Sequence, residues 1–167
     1  MAGTFSRTFM HLRTGTGAVH RRFDADAMTR IRNAIAAAEL GHAGEIRFAV
    51  EATLPLRALW QRKDARSRAL EVFANLRVWD TEANTGVLLY LLWADRAIEI
   101  VVDRGIAARI PASAWESICT DVREGLRATH PADAVCLGVS RIGGLLRAVL
   151  PAQELTPDEL PDDPVLL

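Results

Sequence analysis

Lysine is nearly absent from this chain, and so are the patterns that mark nucleotide-binding and nucleic-acid-binding proteins. Lys63 is the only lysine, and the formal net charge is -1 at pH 7. The overall charge therefore does not draw the chain toward nucleic acid or a membrane surface. Basic residues are not interleaved with aromatic ones, which argues against a platform for single-stranded nucleic acid. There is no GxxxxGK[ST] loop and no GxGxxG after a strand, which argues against nucleotide binding.

Long apolar runs and cysteine motifs are also missing. The most apolar stretch, Gly86 to Trp93, is far shorter than the roughly 20 residues that cross a bilayer as a helix. The N-terminus lacks the continuous apolar segment of a secretory signal. Cys119 and Cys136 have no metal-type spacing, and the histidines are scattered. We therefore expect a cytoplasmic protein with reduced thiols, without a transmembrane segment and without a Ser-His-Asp or Cys-His site.

Charge is uneven at the two ends of the chain. Residues 1–22 contain arginines and no acid, whereas residues 152–167 contain five acids, three prolines and no base. We predict a basic N-terminal arm over 1–22, solvated and partly ordered, with membrane-surface or partner binding as the alternative. Residues 152–167 are predicted to be a disordered acidic tail, which leaves one domain over 23–151. The arginines of the arm are Arg7, Arg13, Arg21 and Arg22.

Between the termini, the hydrophobic periodicity predicts the order helix, strand, helix, strand, strand, helix, helix. Such an order indicates an α/β fold, with a mixed sheet of three or four strands and helices on its faces. The first strand, residues 45–51, alternates cleanly and is predicted to be half buried. Its charged side, formed by Glu45, Arg47 and Glu51, is predicted to be a solvated face at the sheet edge. The alternative is that this side lines a cleft or contacts a partner.

The two later strands are predicted to form a hairpin. Residues 86–93 are apolar without alternation, which is typical of a central strand buried on both faces. Residues 97–103 alternate, and only a short polar break separates the two segments, so they should pair antiparallel. This pairing returns Asp103 to the start of the first strand, beside Glu82, Asn84 and Gly86.

Oxygen-bearing side chains should therefore gather at one end of the hairpin. Carboxylate and amide oxygens suit Ca²⁺ or Mg²⁺, and a bound ion there could polarise a phosphoryl oxygen and activate a water. The candidate metal ligands are Asp80, Glu82, Asn84 and Asp103. The rival interpretation is structural, because Asp, Thr and Asn commonly form turns and caps. Residue types alone favour the structural interpretation.

Three segments resemble the TPM domain family, also called the TPM phosphatase domain. They are EIRFAVE, ALEVFANLRVWDTEANTGVLLYLLWADRAIEIVVDRGI and SAWESIC, and the resemblance runs from about Phe23 to Pro151. Asn84-Thr85-Gly86 stands where the family has an Asn-Gly step, and Asp103-Arg104-Gly105 where many members have Gly-Tyr-Gly. The signal peptide and membrane helix of many members are not found, so the chain resembles a short, soluble, bacterial-type branch.

The resemblance implies a three-layer α/β/α sandwich around a small mixed sheet with a central β-hairpin. Some members are described as acid phosphatases and some bind calcium. Carried over by motif, the cleft residues are Asp80, Glu82, Asn84 and Asp103, with Arg104 as a phosphate contact.

Two functional hypotheses follow. The favoured one is a non-catalytic accessory domain that binds a protein or a membrane surface through the basic arm or the face of the first strand. The alternative is a divalent-metal-assisted phosphomonoester hydrolase, with Asp103 and Arg104 as its catalytic candidates and Arg104 binding phosphate as a bidentate fork.

Overall fold

The computed structural model describes residues 16–61, 63–150 and 159–167. Within these ranges the helices are α1 (Thr16–Arg22), α2 (Ala25–Glu39), α3 (Leu56–Trp60), α4 (Ala65–Asn75), α5 (Arg104–Ala107), α6 (Ala112–Ala128) and α7 (Pro131–Val149). The strands are β1 (Glu45–Glu51), β2 (Gly86–Leu92), β3 (Ala97–Val102) and β4 (Val165–Leu166). None of these helices combines the length with the apolar composition that a bilayer-spanning segment requires.

The strands form one mixed sheet in the order β3-β2-β1-β4. Strands β1 and β2 are parallel, with Glu45 opposite Gly86, and β2 and β3 form the antiparallel hairpin, with Val87 opposite Val102. The predicted α/β fold with a mixed sheet is confirmed, and the hairpin places β2 in the interior of the sheet and β3 at its edge. A parallel β1–β2 pair needs a long crossover, and α3 and α4 lie within it.

Apolar side chains cover both faces of the sheet, which makes the fold three-layered. Phe48 of β1 and Leu89 of β2 belong to the core that includes α2, α6 and α7, while Ala49 and Tyr90 belong to a second core shared with α4. Because successive strand residues point to opposite faces, the continuous apolar run of β2 serves both cores at once.

Helix starts are set by local side-chain caps. Asp24 caps α2 by accepting a hydrogen bond from Ala27 N at 2.9 Å, as its position before an amphipathic segment predicts. His130 caps α7 through Nδ1, and Pro131 occupies the first turn, where its missing N–H is not needed.

The predicted solvated face of β1 is wrong. Glu45, Arg47 and Glu51 are only 7%, 6% and 3% exposed. The reason is that α4 and the C-terminal segment cover this side of β1, which also lies between β2 and β4 rather than at the sheet edge. The two carboxylates have partners: Arg68 donates to Glu51 through Nε at 2.8 Å and Nη2 at 2.9 Å, and Leu160 N donates to Glu45 Oε2 at 3.2 Å. Nε and Nη1 of Arg47 are buried without a hydrogen-bond partner among the described residues. This face therefore does not offer a docking surface.

The C-terminal end of the chain also differs from the expectation. A disordered tail was predicted over 152–167, yet from Glu159 onward the chain packs on the sheet. Leu160 is 7% exposed, and β4 pairs parallel with β1, with Ala49 opposite Val165. The acids and prolines that suggested disorder are followed by the apolar run Val165 to Leu167, and β4 in this run pairs with the edge of β1 that faces away from β2. Residues 152–158 lie outside the described ranges.

In the basic arm, residues 16–22 form α1, which buries Val19 completely. Arg21 and Arg22 are exposed on this helix. Arg7 and Arg13 lie outside the described residues.

Candidate functional site

The loop 80–85 and residues 103–105 meet at one end of the hairpin and are called here the hairpin corner. Asp103 N donates to Gly86 O at 2.9 Å, and Gly105 N donates to Asn84 O at 3.1 Å. The antiparallel pairing therefore places Asp103 beside Asn84 and Gly86, as the sequence predicts.

The backbone of the corner is tightly specified. Asn84 has a φ of 55°, a left-handed conformation that Asn tolerates better than most residues. Thr81 Oγ1 accepts from Thr85 N at 2.9 Å, and Thr85 Oγ1 donates to Ala43 O at 2.7 Å. A Cβ at Gly105 would lie 2.5 Å from Asn84 O, so only glycine allows the two backbones to approach this closely.

Asp103 is a buried carboxylate with one oxygen in use. Its Oδ1 accepts from Arg104 N at 2.7 Å at the start of α5. Its Oδ2 is buried and has no hydrogen-bond partner among the residues that the structure describes. A buried, unpaired carboxylate oxygen is costly, so this atom is the part of the corner best suited to receive a ligand.

The side chain of Arg104 is hydrogen-bonded to Asn84, another of the predicted site residues. Its Nε donates to Asn84 Oδ1 at 3.3 Å. The predicted phosphate contact and a predicted metal ligand are therefore bonded to each other. The bond also places a positive charge where a cation would have to approach Asn84.

The other two predicted ligands, Asp80 and Glu82, are exposed. The backbone of Glu82 is held by the C-terminal segment, because Glu82 N donates to Glu159 Oε2 at 2.8 Å. Within the described ranges, no three His, Cys, Asp or Glu side chains are grouped so that they could hold a metal ion. The structure thus joins Asn84, Asp103 and Arg104 but does not gather all four ligands, and metal binding stays a prediction.

A groove of about 520 Å³ lies between β3 and α6. Its walls include Ile100, Trp115 and Cys119, and Arg66 partly closes it by donating to Ile100 O. Burial raises the pKa of the Cys119 thiol to about 11. The thiol of Cys119 is therefore neutral at physiological pH, and no histidine is among the described residues that line the groove.

The model of the TPM domain family matches residues 21–145. Among solved structures, the chain is similar to the NMR structure of the BA42 protein from the psychrophilic bacterium Bizionia argentinensis sp. nov.. The identity is 27%, the alignment covers 85% of this chain and 93% of that chain, and the TM-score is 0.75. A comparison with curated proteins returned no match. The family match spans most of the sequence and the fold agrees with it, so this chain belongs to the TPM domain family.

Proposed function

We propose that this TPM domain is a non-catalytic accessory domain that acts by binding, in the cytoplasm. The hydrogen bond from Arg104 Nε to Asn84 Oδ1 is the observation that carries the proposal. Metal-assisted hydrolysis needs the guanidinium to meet the phosphate and the amide oxygen to meet the ion. Nε of Arg104 and Oδ1 of Asn84 are instead hydrogen-bonded to each other, and one oxygen of Asp103 already accepts from the start of α5. The arrangement supports a structural role for these polar groups.

The alternative is the metal-assisted phosphomonoester hydrolase, and one observation favours it. Asp103 Oδ2 is buried without a partner among the described residues. A Ca²⁺ or Mg²⁺ ion held by Asp103 and Asn84, with Asp80 and Glu82 closing from the exposed loop, would satisfy that oxygen. Such an ion supplies charge stabilisation for a phosphoryl group.

Two measurements on the full chain separate these functions. The first is hydrolysis of p-nitrophenyl phosphate with Ca²⁺ or Mg²⁺, for the wild type, Asp103→Asn and the control Glu116→Gln, which changes an exposed acid on α6. We expect no metal-dependent hydrolysis from any of the three. Hydrolysis that Glu116→Gln retains and Asp103→Asn loses would overturn the proposal.

The second measurement is the melting temperature during titration with each ion. An ion bound at the corner should raise the melting temperature of the wild type and Glu116→Gln in a concentration-dependent way, but not that of Asp103→Asn. That result alone would establish a binding site without establishing catalysis. Equal responses of all three proteins would mean that the corner does not hold the ion.

The basic arm remains the proposed surface for a membrane or protein partner. Removing residues 1–22 would also remove buried Val19. A loss of binding in the deletion variant could then come from a less stable fold rather than from the missing arginines. Arg21→Gln is the cleaner variant, because Arg21 is exposed at the end of α1. Weaker co-sedimentation of this variant with anionic vesicles is expected if the arm binds membranes, and unchanged co-sedimentation would count against it.

A further inference from the structure

A second cavity, of about 290 Å³, lies at the opposite end of the hairpin from the corner. We propose that this cavity, here called the arginine pocket, binds the phosphate group of a small anionic ligand. It is lined by Arg22, Arg96 and Arg127 together with Trp93, Leu126, Thr129 and Pro131.

The three arginines reach the pocket from three separate elements. Arg22 ends α1, Arg96 lies in the turn between β2 and β3, and Arg127 lies in the last turn of α6. No acid is among the described lining residues. Like charges that converge on one concave surface repel each other, and an anion between them removes that repulsion.

Other arginines of the chain are used differently. Arg68 pairs with Glu51, Arg30 with Asp133 and Arg141 with Asp121. In contrast, the described residues provide no ion pair to any of the three pocket arginines. An anion that enters the pocket would therefore meet three guanidinium groups that no described carboxylate neutralises.

The location of the pocket is favourable for a ligand. Trp93 follows directly on the last residue of β2, so the pocket lies at the carboxyl end of a central parallel strand. Open α/β sheets bind their ligands outside this end. Pro131 begins the 19-residue helix α7, whereas Arg22 and Arg127 lie in the last turns of α1 and α6. Helix ends of both signs therefore meet at the pocket, and the attraction for an anion comes from the arginine side chains.

The walls of the pocket are rigid enough to define a shape. Trp93 packs edge-to-face on Phe23, with ring centroids 5.8 Å apart and an interplanar angle of 89°. Guanidinium groups match phosphate oxygens with two parallel N–H donors, which a lysine ammonium cannot do. The volume is near the lower end for ligand pockets, about 300 Å³, so a phosphomonoester with a small organic group fits better than a nucleotide.

Arg96 provides an unusual test because of its backbone. Its φ of 49° is left-handed, a conformation in which Asn or Gly is favoured over arginine. Arg96→Asn therefore removes the guanidinium while keeping, or easing, the fold of the turn. Arg77 is the matched control, since it is exposed and has a φ of 53° outside the pocket. Arg77→Asn makes the same change in charge at the same kind of backbone position.

The experiment is a calorimetric titration of the full chain with inorganic phosphate and with phosphoserine, at fixed ionic strength. We expect Arg96→Asn to weaken binding about tenfold or more, as the loss of a charge-assisted bidentate contact does. Arg77→Asn should match the wild type. No binding by the wild type would overturn the proposal. Equal losses in the two variants would also overturn it, because they would show attraction by net charge without a site.

A phosphate group also occurs on lipids, so a second arm identifies its source. Phosphatidylcholine vesicles with and without phosphatidic acid are co-sedimented with the same three proteins. Dependence on phosphatidic acid that Arg96→Asn loses and Arg77→Asn keeps would assign the pocket to a lipid headgroup. Binding of phosphoserine with the same pattern would assign it to a soluble ligand. The pocket lies away from Asp103, so these results do not depend on the hydrolysis assay at the corner.

Discussion

The hydroxyl of Tyr90 on β2 donates a hydrogen bond of 2.5 Å to Oε2 of Glu51 on β1. The same carboxylate also accepts hydrogen bonds from Nε and Nη2 of Arg68 on α4. A charge that is 3% exposed is tolerated only when it is paired and hydrogen-bonded. This three-residue network therefore ties α4 to the two parallel strands at the centre of the sheet.

The phenol of Tyr90 should resist ionisation for as long as the chain is folded. Burial raises the pKa of Tyr90 above its usual value, and the neighbouring Glu51 carboxylate, which would repel a phenolate, raises it further. Because the folded pKa is the higher one, the stabilisation is fully present below the unfolded pKa of about 10 and is lost as pH rises above it.

Tyr90 is the only tyrosine, so tyrosinate absorbance reports this residue alone. We expect no tyrosinate signal until the circular dichroism shows unfolding, and an ordinary titration near about pH 10 in denaturant. A titration near that value in the folded chain would contradict the network.

Glu51 also shows where prediction from the sequence fails. The hairpin was predictable, because an apolar run, a short break and an alternating run leave antiparallel pairing as the simple solution. The position of Asp103 followed from that pairing. The burial of Glu51 could not be predicted in this way, because an exposed edge strand shows the same alternation of charged and apolar residues. The partners that make burial tolerable, Arg68 and Tyr90, lie far away in the sequence.

The arginine pocket could not be predicted from the sequence for a related reason. Arg22, Arg96 and Arg127 are separated by long stretches of sequence, and each by itself resembles a solvated surface residue. Only the meeting of α1, the hairpin turn and the end of α6 brings them to one cavity. The bond between Arg104 and Asn84 was similarly hidden, since residue types predicted two free ligands at the corner.

Glycine is required at the start of β2, and its replacement should be severe. A Cβ at Gly86 would lie 1.8 Å from Val78 O, a backbone atom that cannot rotate away. We expect Gly86→Ala to lower the free energy of unfolding by about 3 kcal/mol or more.

The matched variant is Gly144→Ala in α7, where a Cβ meets nothing within 4 Å. It should raise stability by about 0.5–1 kcal/mol, because alanine favours the helix. Urea unfolding measures both, and similar losses in the two variants would refute the close approach of Gly86 to Val78.

Glu39 should make stability depend on pH. Its Oε1 accepts from Ile46 N at 2.6 Å, while burial, and then the nearby Asp162 and Glu45, raise its pKa to about 9. The folded pKa lies above the unfolded value of about 4.3, so the protonated folded state is favoured. Its stabilisation is fully present below about pH 4 and is lost progressively as pH rises toward about 9.

Glu39→Gln keeps the size of the side chain and an amide oxygen for Ile46 N, but it cannot titrate. Its free energy of unfolding should therefore fall less than that of the wild type between neutral and mildly alkaline pH. Glu116→Gln, at an exposed position, should follow the wild type. Parallel pH profiles for Glu39→Gln and the wild type would show that Glu39 titrates normally.

The C-terminal segment offers the last prediction, because sequence and structure disagree there. Leu160 is 7% exposed and belongs to the apolar cluster that contains Val78 and Leu88, whereas Leu167 is 40% exposed. Because the segment packs on this cluster, Leu160→Ala should lower the free energy of unfolding by about 2–5 kcal/mol, the usual effect of deleting a buried leucine side chain. Leu167→Ala should change it by no more than about 0.5 kcal/mol.

The amide of Leu160, which donates to Glu45 Oε2, should also exchange its hydrogen slowly. Equal, small effects of the two substitutions together with fast exchange would mean that the segment is free. The composition would then have predicted this segment correctly, and β1 would present an open edge to a partner strand.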